Sequence, residues 1–93
     1  MRTLIAETKN KVGESVEIFG WVQAIRDQGN IKFLILRDIS GIIQAVVTKN
    51  NAEAMKVVES LSLESVVKII GLAKEEKQAP GGFEIGVETL EVL

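Results

Sequence analysis

The chain has 93 residues, 46% hydrophobic and 26% charged, with one proline and eight glycines; this describes one globular domain rather than a disordered or low-complexity tract. It has no cysteine and no histidine, which removes disulfides, thiolate nucleophiles and metal sites, and the side chain most used as a general base. The net charge is −2, but residues 1–49 carry seven basic against five acidic residues and residues 50–93 carry four against eight, so only the first half offers a polyanion a basic surface, and a thin one.

The opening MRTLIAETKNKVGE holds no apolar run long enough for a signal peptide. No later stretch approaches the roughly 20 apolar residues of a membrane span. A soluble, cytoplasmic domain with no membrane partner is the expectation.

Residues 15–27, SVEIFGWVQAIRD, read as a long first strand rich in β-branched and aromatic residues. Gly20 in its middle marks a bend or bulge, where a strand passes from one part of a sheet to another. Gln28-Gly29-Asn30 is a turn signal. Residues 31–37 form a second strand, Asp38-Ile39-Ser40-Gly41 a tight turn, and residues 42–48 a third strand. Together these make an antiparallel meander. In NNAEAMKVVESL the apolar residues fall at 54, 57, 58 and 61, one face of a helix over about 51–61. Asn50 followed by Glu53 resembles a capping box. Residues 65–74 return to strand, Ala79-Pro80-Gly81-Gly82 turns the chain, and residues 83–92 make a last strand.

The order is β-β-β-α-β-β in a single domain over residues 1–93. Left open, such a sheet would expose its edges, and closure removes them. Five strands with a helix between the third and fourth is the layout of the OB-fold, an all-β Greek-key barrel. A ferredoxin-like fold fits less well, because it needs a helix after its first strand.

The second strand, IKFLILR, is apolar on both faces. Leu34 and Leu36 have the parity of the core, so Phe33, Ile35 and Arg37 face outward. Phe33 then packs under a loop, is simply an exposed apolar residue, or forms part of a binding platform. Strands two and three of an OB-fold bind oligonucleotides, and an exposed aromatic there stacks an unpaired base. Arg26 and Arg37 are placed to pair with phosphate, and Gln44 to read a base edge. Lys32 shares the parity of Leu34 but, at the start of the strand, can snorkel out at the barrel rim. A phosphate or base contact and simple solubility both remain open for it.

Other features have plainer readings. Asp27 and Asp38 suit turns and ion pairs, Trp21 suits packing, and Glu75-Glu76 suits a solvated charge pair. Gly81-Gly82 has no following helix to make it a phosphate cradle. No catalytic or metal constellation is present.

The run GWVQAIRDQGNIKFLILRDISGIIQAVV, residues 20–47, resembles the N-terminal anticodon-binding domain of aspartyl-tRNA synthetases of the archaeal type. The resemblance rests on Gly20-Trp21-Val22, Arg26-Asp27, Gly29, Lys32-Phe33, Leu36-Arg37-Asp38 with Gly41, and Gln44, and on the ending PGGFEIGVETLEVL. It extends over nearly the whole chain and implies a class IIb synthetase domain whose partner is tRNA. The resemblance implies that Phe33 stacks on the middle anticodon base, a uridine, and that Gln44 bonds its edge. Arg26 would contact the anticodon, and Lys32 would add a backbone or base contact. Asparaginyl-tRNA synthetase is a close variant with the same central uridine, and the intact LRDISG turn favours the aspartyl type. Where bacterial members carry an arginine cluster this chain has Gln23-Ala24-Ile25-Arg26, and Ile39 stands where arginine is common; fewer cations mean weaker RNA binding.

The resemblance also implies no cofactor here, ATP and magnesium belonging to a catalytic domain that this stretch lacks. The domain on its own would be monomeric and unable to charge tRNA, and its parent homodimeric. It would be a part of a longer synthetase or a free-standing paralogue. Two other functions remain open: a scaffold or protein-binding barrel, and a binder of single strands indifferent to sequence.

Overall fold

The computed structural model describes residues 2–93. Five strands, β1 (Ser15–Asp27), β2 (Ile31–Asp38), β3 (Gly41–Thr48), β4 (Val66–Glu75) and β5 (Phe83–Val92), and one helix, α1 (Ala52–Ser60), follow the expected order with boundaries shifted by a residue or so. The strands close into a barrel in the order β1-β2-β3-β5-β4. Every pairing is antiparallel except β3 with β5, which is parallel. This is the OB-fold layout.

One face of each strand fills the barrel. Val16, Ile18 and Val22 of β1, Leu34 and Leu36 of β2, and Ile43, Ala45 and Val47 of β3 are buried together with Val67 and Ile69 of β4 and Ile85 of β5. The two-residue period of a strand puts them on one side, and burial of each large side chain contributes about 1.5–3 kcal/mol. Helix α1 adds Ala54 and Val58 to this core.

Strand β1 serves both halves of the barrel. Residues 15–21 pair with β4, and residues 21–27 pair with β2. Gly20 sits at this crossing because nothing larger fits: a methyl group there would lie 2.8 Å from the Arg37 carbonyl oxygen. The bulge itself falls later, where the register with β2 shifts between Val22 and Ala24.

The helix cap is Asn51 and not Asn50. Asn51 Oδ1 accepts from the Ala54 N–H at 3.1 Å, while its Nδ2 donates to the Glu88 carbonyl on β5 at 2.9 Å. This second partner decides between neighbouring asparagines, since Asn50 is exposed.

A short 3₁₀ segment, Ile5–Asn10, has no counterpart among the expected elements. It is fastened to the β2–β3 turn by Asp38, whose Oδ2 accepts from the Ile5 N–H at 2.9 Å. Asp38 Oδ1 accepts from the Ser40 N–H at 2.7 Å and its hydroxyl at 2.6 Å, and from the Gly41 N–H at 3.1 Å. Ser40 Oγ in turn accepts from the Ala6 N–H at 2.9 Å. Burial works to raise the Asp38 pKa, but the Ser40 hydroxyl and the three N–H groups outweigh it and hold the carboxyl below its ordinary range.

Candidate nucleic-acid interface

The outward faces of β2 and β3 form one wall of an open groove of about 420 Å³. Phe33, Ile35, Gln44 and Val46 line this wall, and Arg26 of β1 stands at its edge. The β2–β3 register pairs Phe33 with Val46 and Ile35 with Gln44, so alternation along both strands delivers these four side chains to one surface. The opposite wall comes from Glu84 of β5 and from Glu76, Gln78 and Pro80 in the connection between β4 and β5.

Phe33 is half-buried. It pairs with Arg26 across β1 and β2, and the guanidinium carbon lies 5.8 Å from the ring centroid. This is a cation–π contact, which turns the electron-rich ring face and the cation toward each other. Gln44 Nε2 donates to Glu84 Oε1 at 3.0 Å. The other carboxylate oxygen of Glu84 lies 3.5 Å from Lys74 Nζ. The groove is therefore polarised, with a guanidinium at the β1 edge and carboxylates on the β5 side.

Among the candidate residues, Arg26, Phe33 and Gln44 come together in this groove. Arg37 points outward from β2 but lies outside it, with Nη1 3.5 Å from Gln23 Oε1. Lys32 does not snorkel into solvent. Its side chain is 9% exposed and its ammonium lies 2.9 Å from Asp27 Oδ2. Asp27 Oδ1 also accepts from the Gly29 N–H at 2.8 Å. The Gly29 N–H and Lys32 together lower the Asp27 pKa. The carboxylate thus supplies both the turn and the ion-pair role, and captures the lysine that parity directs inward.

Three participants escaped the sequence reading. Glu76, taken there as part of a solvated pair, is half-buried and lines the groove. Glu84 is buried and Lys74 flanks it. The alternation of FEIGV does put Glu84 opposite to the buried Ile85. What it conceals is the parallel β3–β5 pairing that sets Glu84 beside Gln44. Trp21 is half-buried, as packing requires, and lines a separate hollow with Phe19, Ile39 and Val66.

A family model of OB-fold nucleic-acid-binding domains, of the tRNA anti-codon type, matches residues 16–93. The chain belongs to that family. This OB domain is 45% identical over 82 residues to an aspartate--tRNA(Asp/Asn) ligase of Methanoculleus marisnigri, a match covering 86% of the chain and 19% of the ligase. The asparaginyl-tRNA synthetase of Pyrococcus horikoshii superposes on it with a TM-score of 0.92 at 38% identity, covering all of the domain and 22% of the synthetase. An OBody bound to hen egg-white lysozyme superposes with a TM-score of 0.89 at 26% identity, covering 100% of the domain and 95% of the OBody. The domain spans about a fifth of the length of the curated relatives it matches. Among the described residues no helix is long and apolar enough to cross a membrane.

Proposed function

We propose that this domain binds the anticodon loop of a tRNA, stacking the central uridine on Phe33 and reading its edge with Gln44. The observation that carries this reading is the convergence of Arg26, Phe33 and Gln44 on one groove. Sequence-specific RNA recognition targets unpaired loop bases, which are stacked on aromatic rings or guanidinium planes and bonded along their edges. Arg26 covers the Phe33 ring at 5.8 Å, so an incoming base stacks on the guanidinium or displaces it toward a phosphate. Carboxylates on the β5 side would repel an RNA backbone, which favours a path for its phosphates along the β1 edge near Arg26. Arg37 extends that cationic edge, and Lys32 supports it from within by holding Asp27 and the β1–β2 turn.

The relatives are an aspartate--tRNA(Asp/Asn) ligase and an asparagine--tRNA ligase, and the groove suits the central uridine common to these anticodons. The LRDISG turn supports the aspartyl type. Ligation belongs to the longer relatives. The reading is of a monomeric, cytoplasmic anticodon-binding module of a synthetase, needing no cofactor of its own.

A second reading, a protein-binding barrel, draws support from the lysozyme-bound OBody. An NMR titration of the ¹⁵N-labelled domain with an anticodon stem-loop separates the two. RNA-dependent shifts centred on Arg26, Phe33 and Gln44 are expected. Shifts confined to other faces, or none at low salt, would overturn the RNA reading.

A further inference from the structure

The lysines around the groove differ in what they can offer a polyanion. Lys74 Nζ faces Glu84 at 3.5 Å. Lys77 lines a separate hollow with Glu75 and Phe83. Lys32 pairs in the ladder with the buried Val47, and its side chain is 9% exposed. Its ammonium is taken by Asp27 at 2.9 Å. To meet a phosphate it would have to leave both the barrel and that carboxylate.

Lys49 is placed differently. Ile31 lines the end of the groove and pairs with Thr48, the last residue of β3. Lys49 follows directly. Its N–H donates to the Asn30 carbonyl at 2.9 Å, which fastens the exit of β3 to the β1–β2 turn. That turn is itself held, with the Gln28 N–H donating to the Ile31 carbonyl at 2.9 Å and the Gly29 N–H to Asp27 Oδ1 at 2.8 Å. The Lys49 backbone is therefore anchored beside the groove while its side chain is exposed. It has no ion pair among the described residues. Arg26, also exposed, stands on β1 at the other side of the same turn.

We propose that Lys49 contacts a phosphate of the bound RNA where its backbone leaves the groove over the β1–β2 turn, and that Lys32 is a positioning residue that gives no charge to the RNA. The inference rests on the reading of the domain as an RNA binder. A hydrated ammonium on a flexible stem suits a phosphate, whose position it can follow as a point charge. Lys32 acts through its neighbours. The Asp27–Lys32 pair lies one step along the ladder from Arg26–Phe33, so the ion pair holds the register in which the guanidinium meets the ring.

Salt dependence separates the two lysines, because each phosphate contact on a single strand adds about 0.7 to the slope of log affinity against log salt. The test titrates an anticodon stem-loop into the domain over a salt series. Lys49→Met lowers the slope by about 0.7 and weakens binding about two- to fivefold at low salt. Lys32→Met keeps the slope and weakens binding by one factor at every salt. Arg26→Met serves as the control and lowers the slope. A second readout uses the unaltered domain, so it stands even if Lys32→Met unfolds: on adding RNA, the side-chain NMR signals of Lys49 move and those of Lys32 stay in place. An unchanged slope in Lys49→Met, with Arg26→Met still lowering it, overturns the assignment of Lys49 and leaves the RNA reading standing. A lowered slope in Lys32→Met, or Lys32 signals that move as far as those of Lys49, overturns its positioning role. If the unaltered domain binds no RNA at low salt, the RNA reading fails and the inference fails with it.

Discussion

Arg26 and Phe33 face each other across the β1–β2 pairing, with the guanidinium 5.8 Å from the ring centroid. The contact sets a guanidinium over the aromatic face in the free domain, at the β1 side of the groove. Replacing Phe33 with alanine removes the stacking surface, and RNA binding should weaken by about 1–3 kcal/mol in a stem-loop titration. Phe33 is outward and half-buried, so the thermal melt of this variant should stay close to that of the parent. A collapsed melt would show that Phe33 is core.

Its neighbour behaves in the opposite way. Leu34 is fully buried in the barrel. Leu34→Ala should destabilise the domain by about 2–5 kcal/mol in chemical denaturation, through lost burial and the cavity left behind. RNA affinity measured on the remaining folded fraction should be nearly unchanged. The pair Phe33 and Leu34 thus separates binding from folding at adjacent positions.

Asp38 joins the β2–β3 turn to the 3₁₀ segment and titrates below its ordinary value of 3.8. A carboxyl whose pKa is lower in the folded chain contributes stability that is fully present above the unfolded value. That stability is lost as pH falls through the folded value. Denaturation midpoints should therefore hold above about pH 5 and drop below pH 3.8. Asp38→Asn should cost about 1–3 kcal/mol at neutral pH and flatten the acid drop. An equally steep drop in this variant would move its cause to other carboxyls.

At the strand crossing, Gly20→Ala pushes a methyl group to 2.8 Å from a backbone oxygen of β2. Overpacking of this kind should destabilise the barrel by about 1–3 kcal/mol. A thermal melt checks it. The φ angle is not the cause, since Gly20 is absent from the positive-φ glycines.

Much of the barrel was legible because strand alternation and turn residues are local signals. The parity that put Leu34 and Leu36 inside also put Phe33 outside, and the groove follows from that parity. What stayed hidden depends on long-range pairing. The 3₁₀ segment is too short for a periodic pattern and exists because Asp38, 33 positions from Ile5, accepts its N–H. Lys32 looked like a rim cation because strand parity cannot show that Asp27 closes over it. Glu84 carried an outward parity, but its bond to Gln44 spans 40 positions and a parallel pairing. The choice of Asn51 over Asn50 likewise turned on a carbonyl of β5.

The most direct test is the affinity of the domain, at low salt, for an anticodon stem-loop with a central uridine and for one with that uridine replaced by a purine. Low salt strengthens whatever phosphate contacts the basic edge makes. Tighter binding of the uridine loop, lost in Phe33→Ala, is the expected result. Equal affinity for the two loops would contradict the central claim, and would leave the groove as a surface that holds RNA without reading it.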